Sequence, residues 1–288
     1  MRKIIIVGES GLDIVFLNNQ PIKSYPSGIM LNVAATLGNL GHDTTFVSEA
    51  ATDHVGDIIS DFLTSHHVNT KSIDRFTEGK TATKLIFTAD DADGKRYVTD
   101  TSIYSKYPDQ CFDVIWPRID HDDIVIFGGI YSLDFRVRTR LFDIIKYASE
   151  RKAIIIYVPD AERNRLPRIT KVMPFILENL EIADIVIGAD SDMLTIFNKD
   201  NDAKAYADNI SFYTFNFISI DITHAKLNYF HRDLTVSRDI TTGIEHTHII
   251  TDVVANTVNT IIRDNLLLDD VRQMTQDKMA TILNSNNI

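Results

Sequence analysis

The chain has 288 residues, of which 44% are hydrophobic and 24% are charged. This length and apolar content are typical of a single large α/β domain and exclude a disordered chain. The formal net charge of −11 argues against a nucleic acid or an anionic membrane as the main partner, because both require a basic protein face.

The cysteine content and the first residues indicate where the protein works. Cys111 is the single cysteine, which excludes an internal disulfide and a multi-cysteine metal site. The apolar run at residues 4–7 is too short for a signal sequence. No stretch of the sequence approaches the ~20 apolar residues that span a bilayer. We therefore expect a cytoplasmic protein in a reducing compartment, without membrane association.

Strand-like and helix-like patterns alternate over most of the chain. The apolar run at residues 4–7, ended by Gly8, predicts a strand that is buried on both faces. Further strands are predicted at residues 45–47, 123–127, 153–158, 185–187 and 217–220. Helical periods lie between them at residues 30–40, 56–64, 137–149, 173–180 and 193–198. This alternation predicts a parallel sheet that is covered by helices on both faces.

Two segments interrupt this rhythm. Residues 14–24 are polar and extended, and residues 81–101 read as two strands around the turn Asp91-Ala92-Asp93-Gly94, which is a good hairpin signal. Because a lone hairpin is unstable in water, we expect these segments to pair in one small sheet. The end of the chain is helical, with apolar residues at helical spacing over residues 250–261 and again over 268–283. We find no linker or repeat and predict one domain over residues 1–288.

Residues 26–56 carry a recognisable order of elements. A turn at Gly28 opens a helix that bears Asn32 and stops at Gly41; a strand follows, and then Asp53-x-x-Gly56 begins a second helix. This order resembles the sugar-binding half of the PfkB (ribokinase-like) carbohydrate kinases. The resemblance implies a three-layer α/β/α sandwich with a mostly parallel central sheet. It also implies a small β-sheet lid, at about residues 14–27 and 81–103.

The resemblance implies a sugar site near the start of the chain. Asp13 matches an early aspartate that accepts hydrogen bonds from sugar hydroxyls in that family. Gly28 and Asn32 match the second glycine and the asparagine of the Gly-Gly-x-x-x-Asn turn, while the first glycine is Ser27 here. Each residue alone is also explained as a local turn or a solvated group. Together, at matching spacing, they are interpreted as substrate-binding positions for a small-molecule sugar.

The catalytic signature of the family is altered. There, a Gly-Ala-Gly-Asp turn at a helix start offers backbone N–H groups to the transferred phosphoryl group, and its aspartate accepts the proton of the sugar hydroxyl. This chain has no such string. Counting back from residues 266–271 places the base at Asp252 and the glycine positions at residues 249–251. Rival alignments place the base at Ala255, or at Glu245 or His246. Asp252 or Thr251 could also be an ordinary helix cap.

Other nucleotide positions differ in the same half of the chain. The Asn-x-x-Glu motif that organises Mg²⁺ in the family becomes residues 189–192, where only Asp192 is acidic, and it is the cofactor-binding candidate. The Thr-x-Gly motif becomes residues 220–222, and the Asp-Pro-Asn-x-Arg segment becomes residues 158–162. These differences indicate weakened use of Mg-ATP.

Two functions remain open on the sequence. One is a divergent but working sugar kinase, in which other backbone N–H groups hold the phosphoryl group. The other is a catalytically inactive relative that binds a sugar or a protein partner. The resemblance also implies a homodimer that forms through the lid. The pairs His66 with His67 and His246 with His248 lack convergent partners in the sequence, so no metal site is predicted.

Overall fold

The computed structural model describes residues 2–106, 112–161, 168–240 and 246–286. Cys111 and residues 162 and 241–245 therefore lie outside the described residues. The strands are β1 (Lys3–Val7), β2 (Gly11–Leu17), β3 (Gln20–Ser27), β4 (Asp43–Ala51), β5 (Asn69–Phe76), β6 (Lys80–Asp90), β7 (Arg96–Lys106), β8 (Ile124–Gly128), β9 (Ile154–Val158), β10 (Ile185–Ala189), β11 (Asn216–Asp221), β12 (Lys226–His231) and β13 (Leu234–Asp239). The helices are α1 (Ile29–Asn39), α2 (His54–Ser65), α3 (Phe135–Glu150), α4 (Ile169–Ile182), α5 (Asp190–Phe197), α6 (Asp202–Asp208), α7 (His246–Arg263), α8 (Leu268–Arg272) and α9 (Gln276–Asn284).

Nine of these strands form the main sheet, in the order β13-β12-β11-β10-β9-β8-β1-β4-β5. The neighbours from β5 to β11 pair in parallel. The last two strands form an antiparallel hairpin on β11. The strands predicted from apolar runs are confirmed, while β5, β12 and β13 are additions to that prediction. Strand β13 has no buried residue, and polar residues interrupt the apolar ones in β5 and β12, so no continuous apolar run marks them.

The interior strand β1 explains why helices cover both faces of the main sheet. Ile4 and Ile6 lie in one apolar cluster together with residues of α1, α2, α7, α8 and α9. Ile5 and Val7 lie in a second cluster, with residues of α3, α4, α5 and α6. Because side chains alternate across a strand, an uninterrupted apolar run supplies both interfaces. The predicted three-layer α/β/α architecture is confirmed.

The two irregular segments form a second sheet of four strands, in the order β3-β2-β6-β7. The predicted turn at Asp91–Gly94 joins β6 to β7, and Gly94 has a φ of 77°. Phe16 and Phe87 stack across the parallel pair β2 and β6, with ring centroids 4.9 Å apart. The small sheet that the sequence predicts is therefore present and slightly longer than expected at both ends.

The carboxyl-terminal helices differ in detail from the prediction. The helix expected over residues 250–261 is α7, which begins earlier, at His246. The pattern at residues 268–283 is divided into α8 and α9, because Thr275 caps α9 through a hydrogen bond from Lys278 N. None of the helices in the described part of the chain is long and apolar enough to cross a membrane.

Asp53 joins the two sheets. Its carboxylate accepts a hydrogen bond from Gly56 N at 2.9 Å, so it is the N-cap of α2. The same carboxylate accepts from the backbone N of Thr81 at 3.0 Å and from its hydroxyl at 2.7 Å. Thr81 belongs to β6 of the small sheet. One side chain therefore caps a helix of the main layer and fixes the first residues of the hairpin.

We expect Asp53→Ala to lower the free energy of unfolding by about 1–2 kcal/mol at pH 7, the usual range for a lost helix cap. Asp61→Ala, an exposed substitution on the same helix, is the control and should stay within about 0.5 kcal/mol. Burial opposes ionisation, but the hydrogen bonds from Gly56 and Thr81 outweigh it and hold the pKa of Asp53 below its ordinary 3.8. The stabilisation is therefore present above pH 3.8 and is lost as the pH falls through the lowered value.

Urea unfolding of wild-type protein and both variants, repeated at several pH values, measures these differences. Equal stability of Asp53→Ala and wild type at pH 7 would show that the link between the sheets contributes nothing.

Candidate functional site

The carboxyl ends of the parallel strands open at one edge of the main sheet, where α/β proteins hold their ligands. The loop after β1 packs closely against the start of α1. A Cβ added at Gly8 would lie only 2.4 Å from Met30 Cβ. The loops after β8 and β9 also meet there. Gly129 has a φ of 58°, and a Cβ added to it would lie 3.5 Å from Asp160 Oδ2.

Asp13 lies next to the loop after β1. It belongs to β2, and 9% of it is exposed. Its Oδ1 accepts a hydrogen bond of 2.5 Å from the hydroxyl of Ser27, the last residue of β3. The hairpin of β2 and β3 holds the two residues on neighbouring strands, with Gly11 opposite Ser27. A buried carboxylate at a cleft edge is thus directed toward the residue that precedes the α1 turn.

Gly28 and Asn32 complete this turn. Gly28 is the N-cap of α1 with φ 135° and ψ 132°, and a Cβ added there would lie 2.6 Å from Glu9 O. This conformation and this close approach both require glycine. Asn32 N donates to Gly28 O at 2.9 Å. The Asn32 side chain is half-buried, and its amide has no hydrogen-bond partner among the described residues.

The structure therefore brings the three sugar-site candidates together around one turn. Asp13 contacts Ser27, Ser27 adjoins Gly28, and Gly28 bonds Asn32. Their binding of a sugar stays a prediction.

Asp252 is placed differently from the sequence expectation. It is the seventh residue of α7, so it lies roughly 9 Å along the axis from the first residue, at 1.5 Å per residue. It is half-buried. Burial raises its pKa, and the charge of His248, one turn earlier, lowers it in part. The alternative reading of Thr251 or Asp252 as a helix cap is wrong, because the helix begins before both residues.

Residues 249–251, where the anion hole is expected, lie within α7. Ile249 and Ile250 are 3% and 1% exposed and pack in the main core, and Thr251 is buried. Inside a helix, backbone N–H groups bond to carbonyl groups four residues earlier, so only the first turn can offer them to a ligand. Ala255, the base position in one rival alignment, lies even further from the start of α7. The rival string at residues 241–246 ends where α7 begins, and its residues 241–245 lie outside the described residues.

Asp192 has a clear structural role. It is 3% exposed, and its Oδ2 accepts a hydrogen bond from Ala189 N at 2.9 Å at the start of α5. Its Oδ1 accepts from Ala161 N at 2.7 Å, which ties the loop after β9 to the loop after β10. Both carboxylate oxygens therefore bind backbone groups at the cleft edge. A role in holding Mg-ATP stays a prediction.

Three further carboxylates gather near the ends of β10 and β11. Asp190 accepts from Thr223 N at 3.1 Å and from its hydroxyl at 2.6 Å. The buried Asp202 accepts from the hydroxyl of Ser219. Burial raises the pKa of Asp202, the bond from Ser219 lowers it in part, and the charges of Asp221 and Asp190 raise it further. Among the described residues, no three His, Cys, Asp or Glu side chains are grouped as a metal site.

Sequence reasoning missed Glu49, a buried acid near the end of β4. It is 2% exposed, and its Oε2 accepts a hydrogen bond of 2.8 Å from Phe112 N. Phe112 has a φ of 65°, and its ring packs edge-on against Tyr131 and Trp116 at 5.5 and 5.9 Å. Glu49 thus fixes the segment that follows the small sheet. One signal for Glu49 was available in the sequence. The acid lies two residues after Val47, and therefore on the same buried face of β4.

The charges around Glu49 determine how it titrates. Burial raises its pKa above 4.5, the bond from Phe112 and the Tyr131 side chain lower it in part, Asp74 raises it and Arg136 lowers it. A raised pKa means that the neutral acid stabilises the fold, and that this stability is lost as the pH rises through the folded-state value.

We therefore expect Glu49→Gln, which stays neutral, to gain free energy of unfolding relative to wild type as the pH rises above 4.5. Glu49→Ala should shift the emission of Trp116, the single tryptophan, to longer wavelength, because Phe112 loses its acceptor. Denaturant titrations between pH 4 and 8 with fluorescence readout measure both effects. Glu181→Gln, at an exposed site, is the control. A constant difference between Glu49→Gln and wild type across this range would contradict the assignment.

The chain was compared with known proteins. The model of the pfkB family carbohydrate kinases matches residues 1–214. No curated protein matches the sequence.

Several solved structures share the fold. Fructokinase from Vibrio cholerae O395, solved with fructose, ADP and calcium, is similar with a TM-score of 0.78 at 14% identity over 100% of this chain and 91% of that one. Fructokinase with bound ATP from Xylella fastidiosa gives 0.75 at 18% identity, over 99% and 91% of the two chains. Aminoimidazole riboside kinase from Salmonella enterica gives 0.78 at 13% identity, over 99% and 90%. With the family match over most of its length, the chain belongs to the pfkB family of carbohydrate kinases.

Proposed function

We propose that this protein binds a small sugar through Asp13, Gly28 and Asn32 and transfers a phosphoryl group to it from Mg-ATP at a low rate. The observation that carries the proposal is the continuous set of contacts from Asp13 to the first turns of α1. It assembles a buried carboxylate, a glycine-only turn and an amide with no partner among the described residues.

Each of these groups has a physical role in holding a sugar. The Asp13 carboxylate accepts hydrogen bonds from hydroxyl groups, and the Asn32 amide both donates and accepts. Gly28 holds the turn in the shape that places these groups together, since Glu9 O occupies the space that a side chain would need. Such a site gains specificity from polar groups that are left unsatisfied by a wrong ligand. Fructose is the first ligand to test, because the Vibrio cholerae fructokinase was solved with it.

The nucleotide half supports only a slow transfer. We propose Asp252 as the proton acceptor, because it is the only carboxylate on α7, and Asp192 as the acid nearest the Mg-ATP position. Replacing one anion-hole donor typically costs a factor of ~10²–10³ in rate. Because residues 249–251, the expected anion hole, lie inside the helix, backbone N–H groups at the helix start must hold the phosphoryl group during turnover.

A catalytically inactive sugar-binding relative is the second candidate function. The cluster of Asp190, Asp202 and Asp221 near the ends of β10 and β11 favours it, because like charges repel the phosphates of ATP. Asp192 also uses both of its carboxylate oxygens on backbone groups.

A homodimer through the small sheet is also proposed. Strand β7 exposes Tyr97, Val98, Ile103 and Tyr104, at 51%, 58%, 47% and 61%. This edge strand is apolar enough to be covered in a second copy. We further propose that the protein works in the cytoplasm, with no nucleic acid or membrane partner.

We expect fructose to raise the midpoint of thermal unfolding, since a ligand at a hundred times its dissociation constant adds ~2.7 kcal/mol. Asp13→Asn and Asn32→Ala should each weaken fructose binding at least tenfold, about 1.4 kcal/mol. Asp143→Asn, at an exposed site on α3, should bind like wild type. Calorimetric titration with fructose, followed by a panel of pentoses and hexoses, measures these effects. Equal affinity in Asp13→Asn and wild type would overturn the assigned sugar site.

We expect fructose-dependent release of ADP from Mg-ATP to be slow, and Asp252→Asn to lower it by a further factor of ~10²–10⁴, the range for a general base. A coupled assay for ADP measures both rates, with His246→Asn as the comparison. If Asp252→Asn turned over as fast as wild type, Asp252 would not be the base, and the base would instead lie at the start of α7. Sugar binding with neither ATP binding nor ADP release would establish the inactive relative.

A further inference from the structure

We propose that Ser27 sets the sugar specificity of this site, by holding the place of one sugar hydroxyl, so that the preferred ligand is a monodeoxy sugar. This inference rests on the proposed sugar site. It concerns the one residue of the turn whose side chain differs in kind from the family pattern, where glycine has neither a Cβ nor a hydroxyl.

The geometry of Ser27 resembles that of a bound hydroxyl group. Its Oγ donates to Asp13 Oδ1 at 2.5 Å, within the range of short charge-assisted O–H···O⁻ bonds. The residue is half-buried, at the end of β3 and directly before Gly28. The pairing of Ser27 with Gly11 across β2 and β3 fixes its backbone. The hydroxyl is therefore held at the carboxylate by a paired strand.

This bond changes what the site offers to a ligand. A hydroxyl has one proton to donate, and that of Ser27 is used on Asp13. A sugar hydroxyl directed at the same carboxylate oxygen must share it with the Ser27 hydroxyl, and each carboxylate oxygen has only about two lone pairs to offer. The Cβ and Oγ of Ser27 also occupy volume that glycine leaves empty. A ligand with hydrogen in place of that hydroxyl group meets neither obstacle.

The loss of affinity comes from a sugar hydroxyl group that is left without a hydrogen-bond partner. A sugar hydroxyl that is buried beside Ser27 without a partner of its own costs desolvation free energy. A fully hydroxylated sugar therefore loses affinity at Ser27, while the deoxy form leaves the bond between Ser27 and Asp13 intact. The site then rejects the extra hydroxyl group, in contrast to a site that is built to bind it.

Calorimetric titration of wild type, Ser27→Gly and Ser27→Ala with fructose and each of its monodeoxy derivatives tests the inference. We expect wild type to bind one monodeoxy derivative at least tenfold more tightly than fructose. Ser27→Gly should remove this preference by improving fructose binding at least tenfold. Ser27→Ala, which keeps the Cβ and loses the hydroxyl, should bind fructose with an affinity between those of wild type and Ser27→Gly. Ser24→Gly, at an exposed position of the same strand, is the matched control and should retain the wild-type preference.

The outcomes separate the two proposals. Wild type that binds fructose at least as tightly as every monodeoxy derivative, with no gain in Ser27→Gly, overturns the role of Ser27 and leaves the sugar site standing. Failure of wild type and both Ser27 variants to bind any of these sugars overturns the sugar site and this inference with it. Far-ultraviolet circular dichroism and the unfolding midpoint establish that each variant is folded, and Ser27→Ala keeps the test valid where Ser27→Gly does not fold.

Discussion

The burial of β1 on both faces is the constraint from which the rest of the structure follows. Ile4 and Ile6 require one helix layer, and Ile5 and Val7 require a second. A parallel sheet satisfies both demands, since its crossover helices cover the two faces. All loops that follow the parallel strands then open at one edge. The loop after β1 meets the start of α1 at that edge, and so the packing of the core decides where the polar residues meet.

Much of this architecture could be predicted from sequence because the signals are local. The runs at residues 4–7 and 154–158 are apolar without interruption, and the turn at residues 91–94 carries its own hairpin chemistry. Gly41, with a φ of 84°, follows the end of α1 as expected. Strands β12 and β13 escaped prediction because polar residues interrupt the apolar residues of β12 and no residue of β13 is buried, so neither strand carries an apolar run.

The site shows the same division between local and distant contacts. Gly28 and Asn32 are four residues apart, and helix geometry alone places them on one turn. The bond between Asp13 and Ser27 joins neighbouring strands of a hairpin, and it was not predicted. Glu49 and Phe112 are 63 residues apart, and no local pattern indicates their contact. The place of Asp252 within α7 could not be predicted, because counting residues from a later helix cannot locate where α7 begins.

The two halves of the cleft can change independently, because different contacts hold them. The proposed sugar side depends on bonds within residues 13–32, supported by the Asp53 link between the sheets. On the proposed nucleotide side, Asp190 and Asp192 accept hydrogen bonds from Thr223, Ala161 and Ala189. Acids that stabilise loops in this way keep the fold intact whether or not they contact a nucleotide. Changes at the proposed phosphate-binding positions therefore carry no penalty for the sheet, and a stable fold around the proposed sugar site is compatible with the weakened phosphoryl transfer that we propose.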